Sequence, residues 1–362
     1  MKLVVLGLSL SSSWGNGHAT TYRALLSAFA ARGHDIVFLE REVPWYAAHR
    51  DLDDVEWGRL EFYRTLGELE GWRATIAAAD AVLVGSYVPD GAQVGDYVLA
   101  HAGGVRAFYD IDTPVTMAGL DGGIDYLRRE QIGRYDLYLS FTGGPMLDRI
   151  ERDYGSPAAR PLFCSVDDSH YRPTGAAKRW HLSYLGTYSA DRQPTLDRLL
   201  IEPARRAPHR RFVVAGPQYP ADIDWPSNVE RIEHCPPSAH ADFYSASRFT
   251  LNVTRADMIA AGWSPSVRLF EAGACATPVL SDRWAGLAEL FEPGREIMLA
   301  STPDDVLATL GAPVTGMGLA ARARVLAEHT AAHRARQLER HLIEASERRH
   351  SVPPALPGRV AA

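Results

Sequence analysis

Residues 264–282, SPSVRLFEAGACATPVLSD, put one arginine and one glutamate behind two serines at helical spacing. Ser264 suits an N-cap, Pro265 the first helical position, and Pro278 forces the chain out toward a strand. Steps of four and three place Ser264, Arg268 and Glu271 on one face. Val267, Phe270 and Ala274 form another, the side a sheet would cover. Hydroxyls at the start (Ser264, Ser266), Arg268 and the helix dipole together suit a phosphate. Glu271, two turns in, could accept hydrogen bonds from sugar hydroxyls. An ordinary amphipathic helix with a solvated polar face would show the same pattern.

Other candidates stand at the ends of apolar runs. In YLGTYSADR, Gly186 and Thr187 close a strand and Arg192 follows; glycine lets a diphosphate approach the backbone, and arginine clamps phosphate oxygens in pairs. Arg192 would equally serve as a solvated helix-start residue. Arg255, in NVTRADM, ends another strand and joins Arg268 as a candidate pair for neutralising a diphosphate. In the first half, SSSWGNGH links a strand to a helix that opens on His18. The positive end of that helix lowers a histidine pKa, so a neutral imidazole could act as a general base; a loop histidine bonded to backbone is the plain alternative. The loop has no G-x-G-x-x-G, which counts against a dehydrogenase. Asp110 and Asp112 stand at i and i+2, a spacing that invites a metal reading, but they serve as well as an acceptor-side base or as a cap on the Thr113–Pro114 turn.

These residues need elements to hold them. Strand-like and helix-like segments alternate: strands over 2–10, 35–41, 81–87, 105–112 and 137–144, then a hinge over 161–173. A second series follows with strands over 181–189, 211–218, 249–255 and 294–300. This is the signature of α/β, doubly wound parallel sheets with helices on both faces, whose ligands sit beyond the carboxyl ends of the strands. A long arginine-rich helix is expected over 318–345.

The 362 residues suit two domains, and 46% hydrophobic with 23% charged residues is ordinary for a globular chain. A net charge of −6 argues against nucleic acid as a partner. Three widely spaced cysteines argue against a disulfide framework and a structural zinc site. With no signal peptide or membrane span legible, the expected location is cytoplasmic.

Through the 264–282 stretch, the LGTYSADR loop and a valine–aspartate hinge followed by an aromatic residue and proline, the chain resembles the GT-B glycosyltransferases, and among them the CgeB-like branch. The resemblance covers nearly everything but the tail. It implies an acceptor-binding domain over 1–165 and a nucleotide-sugar-binding domain over 166–345; the composition of 346–362, with VPPALPG, points to a disordered tail. The resemblance also implies a donor site built from Gly186, Thr187, Arg192, Arg255, Ser264, Ser266, Arg268 and Glu271, with His18, Asp110 or Asp112 taking the acceptor proton. The activity implied is transfer from a nucleotide-diphosphate sugar, taken as a uridine one, with that co-substrate in place of any cofactor and without a metal. In one respect the chain departs from the family: many retaining members carry two glutamates separated by seven residues, the second at the position of Glu271, and here the position of the first is Trp263. Trp263 could stack on a sugar or base or pack in a core. A nucleotide-sugar epimerase and a non-catalytic nucleotide-sugar or glycan-binding protein are the rival readings.

Overall fold

Two runs of short strands, apolar at almost every position, form two wholly parallel sheets. The computed structural model describes residues 1–14, 17–313 and 316–351. Gly15 and Asn16 of the glycine-rich loop, and residues 352–362 of the expected tail, lie outside the described residues. The first sheet holds β1 (Lys2–Gly7), β2 (Asp35–Arg41), β3 (Arg59–Tyr63), β4 (Ala81–Gly85), β5 (Val105–Asp110), β6 (Leu137–Ser140) and β7 (Ala159–Pro161), in the order β3-β2-β1-β4-β5-β6-β7. The second holds β8 (Trp180–Leu185), β9 (Phe212–Ala215), β10 (Val229–Ile232), β11 (Ser247–Asn252), β12 (Val279–Ser281) and β13 (Met298–Leu299), in the order β10-β9-β8-β11-β12-β13. The expected pair of doubly wound domains is present.

The strand sequences explain the layering. Leu3 and Val5 face one core while Val4 and Leu6 face the other, so β1 must be apolar throughout. The helix Gly17–Ala30 covers the first of these faces with Tyr22, Leu25, Leu26 and Phe29. In the second sheet Val213 and Ala215 face one core and Phe212 and Val214 the other. Edge strand β3 escapes a sequence reading because Arg59 and Glu61 interrupt its apolar pattern.

The expected helix over 318–345 is in fact two, Met317–Glu328 and Ala331–Ser351. Neither glycine nor proline marks the break. Instead Thr330 pairs with Val166 as a β-bridge, and the Ala331 N–H donates to the Val166 carbonyl at 2.9 Å. The final helix then runs back over the first sheet, where Ala335, Leu338, Leu342 and Ala345 complete the core under β5 and β6. Residues 331–351 therefore pack on the first domain, and 346–351 of the expected tail are helical.

Between the two helices His329 is buried and accepts from the Arg334 guanidinium at Nδ1, 2.8 Å away. Burial, and then the arginine charge, push its pKa from 6.5 down to about 3. The unfolded chain thus binds a proton at this histidine that the native state refuses, and stability falls as the pH drops from 6.5 toward 3. The expected slope from this group approaches ~1.4 kcal/mol per pH unit. Urea denaturation from pH 7 to 4 measures it, and a His329→Phe variant that kept the full slope would assign the effect elsewhere. Among the described residues no helix is long and apolar enough to cross a membrane.

Candidate functional site

Each sheet reverses its strand order at one point, between β1 and β4 in the first and between β8 and β11 in the second. The loops leaving those strands diverge to opposite faces and open a crevice at the carboxyl edge. In the first domain this geometry brings His18, after β1, within 5.4 Å of Tyr87, after β4. In the second it sets the loop after β8 beside that after β11. A cleft pocket of about 250 Å³ lies between the domains, with Ser13, Gly17 and Thr20 on one wall and Gly186, Thr187, Arg268 and Glu271 on the other.

The 264–282 stretch supplies much of that second wall. Its helix runs Val267–Ala274, so Ser266, not Ser264, holds the N-cap position, and no side chain caps it. The Ser266 hydroxyl instead donates to Asn252 Oδ1 at 2.7 Å. The helix is buried from Arg268 to Ala274, so its polar face is enclosed rather than solvated. Val267, expected against the sheet, lines the pocket. Arg268 is 7% exposed; its Nε donates to the Leu185 carbonyl at 2.7 Å and another nitrogen to Asn252 Oδ1 at 3.0 Å. Its guanidinium lies 4.8 Å from the Tyr184 ring. A Cβ on residue 186 would stand 2.9 Å from that guanidinium, which is why glycine follows β8. Glu271 accepts from the Tyr244 hydroxyl at 2.9 Å, with His240 3.9 Å away. Burial and the Glu271 charge drive the Tyr244 pKa well up, so the phenol remains a donor.

Sequence reasoning missed Tyr244, His240 and Asn252. A signal existed for Asn252, a polar residue at the carboxyl end of the apolar strand β11, fully buried and bonded to Thr254 and Ser281. Nothing in the local pattern of the helix His240–Ser245 marks Tyr244.

Other expected residues take different places. Arg192 donates to the Thr187 carbonyl at 2.8 Å, and its buried Nε has no partner among the described residues. Arg255 reaches the opposite domain at Asp112, 3.4 Å away, and lies 3.7 Å from Asp191 of its own domain. The expected Arg255–Arg268 pair is therefore split. Ser264 is buried against the first domain, 2.5 Å from the Thr142 hydroxyl. Beside it Trp263 is wedged at the junction, where a Cβ on Gly144 would come within 2.5 Å of its ring; this is the packing role.

On the first-domain side the two aspartates separate. Asp110 is fully buried, accepting from Tyr138 at 2.5 Å and Thr116 at 2.8 Å, and burial raises its pKa to about 6. It is closed off from the cleft. Asp112 sits at the start of the helix Thr113–Gly119 without capping it; Oδ2 accepts from Tyr87 at 3.2 Å, and buried Oδ1 has no partner among the described residues. Burial raises its pKa against the pull of Arg255. His18 is half-buried, and burial lowers its pKa to about 4, so it is neutral near pH 7. No group of three metal-ligating side chains occurs among the described residues.

The serine loop after β1 is held from below. Glu40 is 1% exposed and accepts from Ser9 Oγ at 3.0 Å, Leu10 N at 2.6 Å, Ser11 N at 2.9 Å and Ser11 Oγ at 2.7 Å. Glu40→Ala should destabilise the protein by about 3 kcal/mol, since two backbone donors and two hydroxyls lose a charged acceptor in the interior. Urea denaturation checks this, and a loss within 0.5 kcal/mol, the range of an ordinary surface substitution, would contradict it.

Residues 192–340 match a family model described as glycosyl transferase-like. The match takes in β9 to β13 of the second sheet. Solved structures of the same fold include sucrose-phosphate synthase from Thermosynechococcus elongatus, 16% identical over 96% of this chain and 100% of that one, with a TM-score of 0.70. HepE of Anabaena, solved in complex with UDP and glucose, is 13% identical over 95% of this chain and 100% of its own, with a TM-score of 0.66. The catalytic domain of starch synthase IV from Arabidopsis thaliana, bound to ADP and acarbose, is 8% identical over 96% of this chain and 99% of its own, with a TM-score of 0.69. No curated protein sequence matches the chain.

Proposed function

We propose that this protein is a GT-B-type glycosyltransferase that takes a sugar from a UDP-sugar and passes it to an acceptor hydroxyl presented by the first domain. We place it in the cytoplasm and, by its sequence resemblance, in the CgeB-like branch. The observation that carries the reading is the convergence of Gly186, Thr187, Arg268 and Glu271 on one pocket between two domains. The UDP complex of HepE, on the same fold, supports uridine as the base.

In this reading Glu271, oriented by Tyr244, receives the ribose hydroxyls. The loop at Gly186 and Thr187 admits the diphosphate, and Arg268, Arg192 and the uncapped helix start at Ser266 face the charge that grows on it. As the bond from the sugar to the diphosphate oxygen breaks, the acceptor oxygen bonds the same carbon, and its proton passes to neutral His18 or to Asp112. Arg255 acts between the domains, where its pair with Asp112 favours the closed cleft. The positive charge comes from side chains, so we propose that neither metal nor further cofactor is needed. Asp110 and Asp112 make a poor cation site, one buried among hydroxyl donors and the other paired with arginine.

Calorimetric titration with UDP, GDP and dTDP tests the donor. UDP should bind tightest, and binding of none of them would sink the proposal. UDP release from UDP-sugars with an acceptor panel should survive EDTA. An epimer formed from UDP-N-acetylglucosamine alone would replace transfer by epimerisation.

A further inference from the structure

Trp14 and Trp45 are large apolar side chains left in solvent, 37% and 55% exposed. They meet edge to face at 4.6 Å, and the His49 ring stacks on Trp14 at 4.4 Å. Trp14 directly follows Ser13, which lines the cleft pocket. Trp45 belongs to the short helix Pro44–Ala47, which follows the neighbouring strand β2. The cluster thus continues the first-domain wall of the cleft outward from its carboxyl edge.

It is also held in place. Beneath it, Glu40 fixes the serine loop. The Ser12 hydroxyl donates to the His49 carbonyl at 2.7 Å, and the Ser11 carbonyl accepts from Asp51 N at 3.0 Å and Leu52 N at 3.1 Å. A preformed aromatic surface binds without first losing the entropy of ordering itself.

We propose that this cluster is an acceptor subsite that binds a neutral pyranose ring of a glycan; the assignment rests on the transferase reading above. A pyranose offers an apolar C–H face to an aromatic ring and hydroxyls around its edge. Polar groups stand ready for those hydroxyls in Asp51, Arg23 and Arg50, already oriented by the Arg23–Asp51 and Arg50–Glu42 pairs. Local charge selects the class of ligand. Segment 42–56 carries Glu42, Asp51, Asp53, Asp54 and Glu56 against Arg50 alone, a field that repels anionic lipid and polyphosphate.

Fluorotryptophan incorporated into the full chain tests the proposal by fluorine NMR, with the Trp14 and Trp45 signals identified by their loss in Trp14→Phe and Trp45→Phe. The probes are maltotriose, cellotriose, chitotriose and mannotriose. At least one should shift both signals and leave that of Trp263 unmoved. The double variant Trp14→Ala/Trp45→Ala should then bind that glycan roughly tenfold more weakly and keep UDP affinity within about twofold. The proposal is overturned if no probe moves either signal, if only phosphatidylcholine or phosphatidylglycerol vesicles do, or if the double variant keeps its glycan affinity. UDP calorimetry on the wild-type protein separates the two readings: glycan binding without UDP binding sinks the donor assignment, and the reverse sinks the subsite alone.

Discussion

Arg268→Ala is expected to weaken UDP binding by roughly a hundredfold and to reduce transfer at least as much, the size of effect seen when a charged donor to a developing anion is removed. Arg268 is nearly buried and anchored at both ends of its fork, on the Leu185 carbonyl and on Asn252 Oδ1. Such anchoring fixes the guanidinium before the nucleotide arrives, so little is lost in ordering it. Truncation also leaves the Leu185 carbonyl short of a donor, and a fall in melting temperature is expected alongside the loss of affinity. Arg268→Lys separates the two effects. Lysine keeps the charge but lacks the planar fork, so it cannot hold the Leu185 carbonyl and Asn252 while facing a diphosphate. It should restore little of the affinity. Calorimetry with UDP, run with a thermal melt on each variant, decides the matter. Unchanged UDP affinity in a folded Arg268→Ala protein would remove this residue from the donor site.

The second large effect is on stability. Arg334 is 2% exposed in the interior where the chain crosses between domains. It donates to the carbonyls of Phe163 at 3.1 Å and Glu328 at 3.1 Å and to His329 Nδ1 at 2.8 Å, so one side chain ties the first crossing segment to the second. The guanidinium also lies 5.9 Å from the ring of Phe270, which precedes Glu271 and stacks on His329 at 4.6 Å. Arg334→Ala strands these acceptors in the interior and should cost about 3–5 kcal/mol. Arg334→Lys should recover less than half, since one ammonium cannot span both segments. Urea denaturation measures each value. A loss below 1 kcal/mol, the worth of an exposed ion pair, would mean that the crossing is held by its β-bridge and apolar packing.

The fold was legible in the sequence because parallel strands buried on both faces read as unbroken apolar runs, and their spacing by helices leaves few topologies open. The second-domain wall of the cleft pocket was legible for a related reason. Gly186, Thr187, Arg268 and Glu271 each follow or face the carboxyl end of a strand, where the switch-point rule places ligands. Partners drawn from distant elements carried no such mark. Tyr244 reaches Glu271 across 27 residues of chain, Arg255 meets Asp112 across 143, and Arg334 reaches Phe163 across 171.

Local pattern alone, then, determined two doubly wound domains, a helix with an arginine and a glutamate on one side, and a glycine-led loop to meet them. Only the tertiary structure decided that Asp110 is sealed beneath Tyr138 and Thr116 while Asp112 faces across the cleft. It alone showed that Trp263 is a wedge between domains and that the final helix returns to the first. Periodicity records which side of an element is apolar, whereas which element covers that side is settled by packing between segments far apart in the chain.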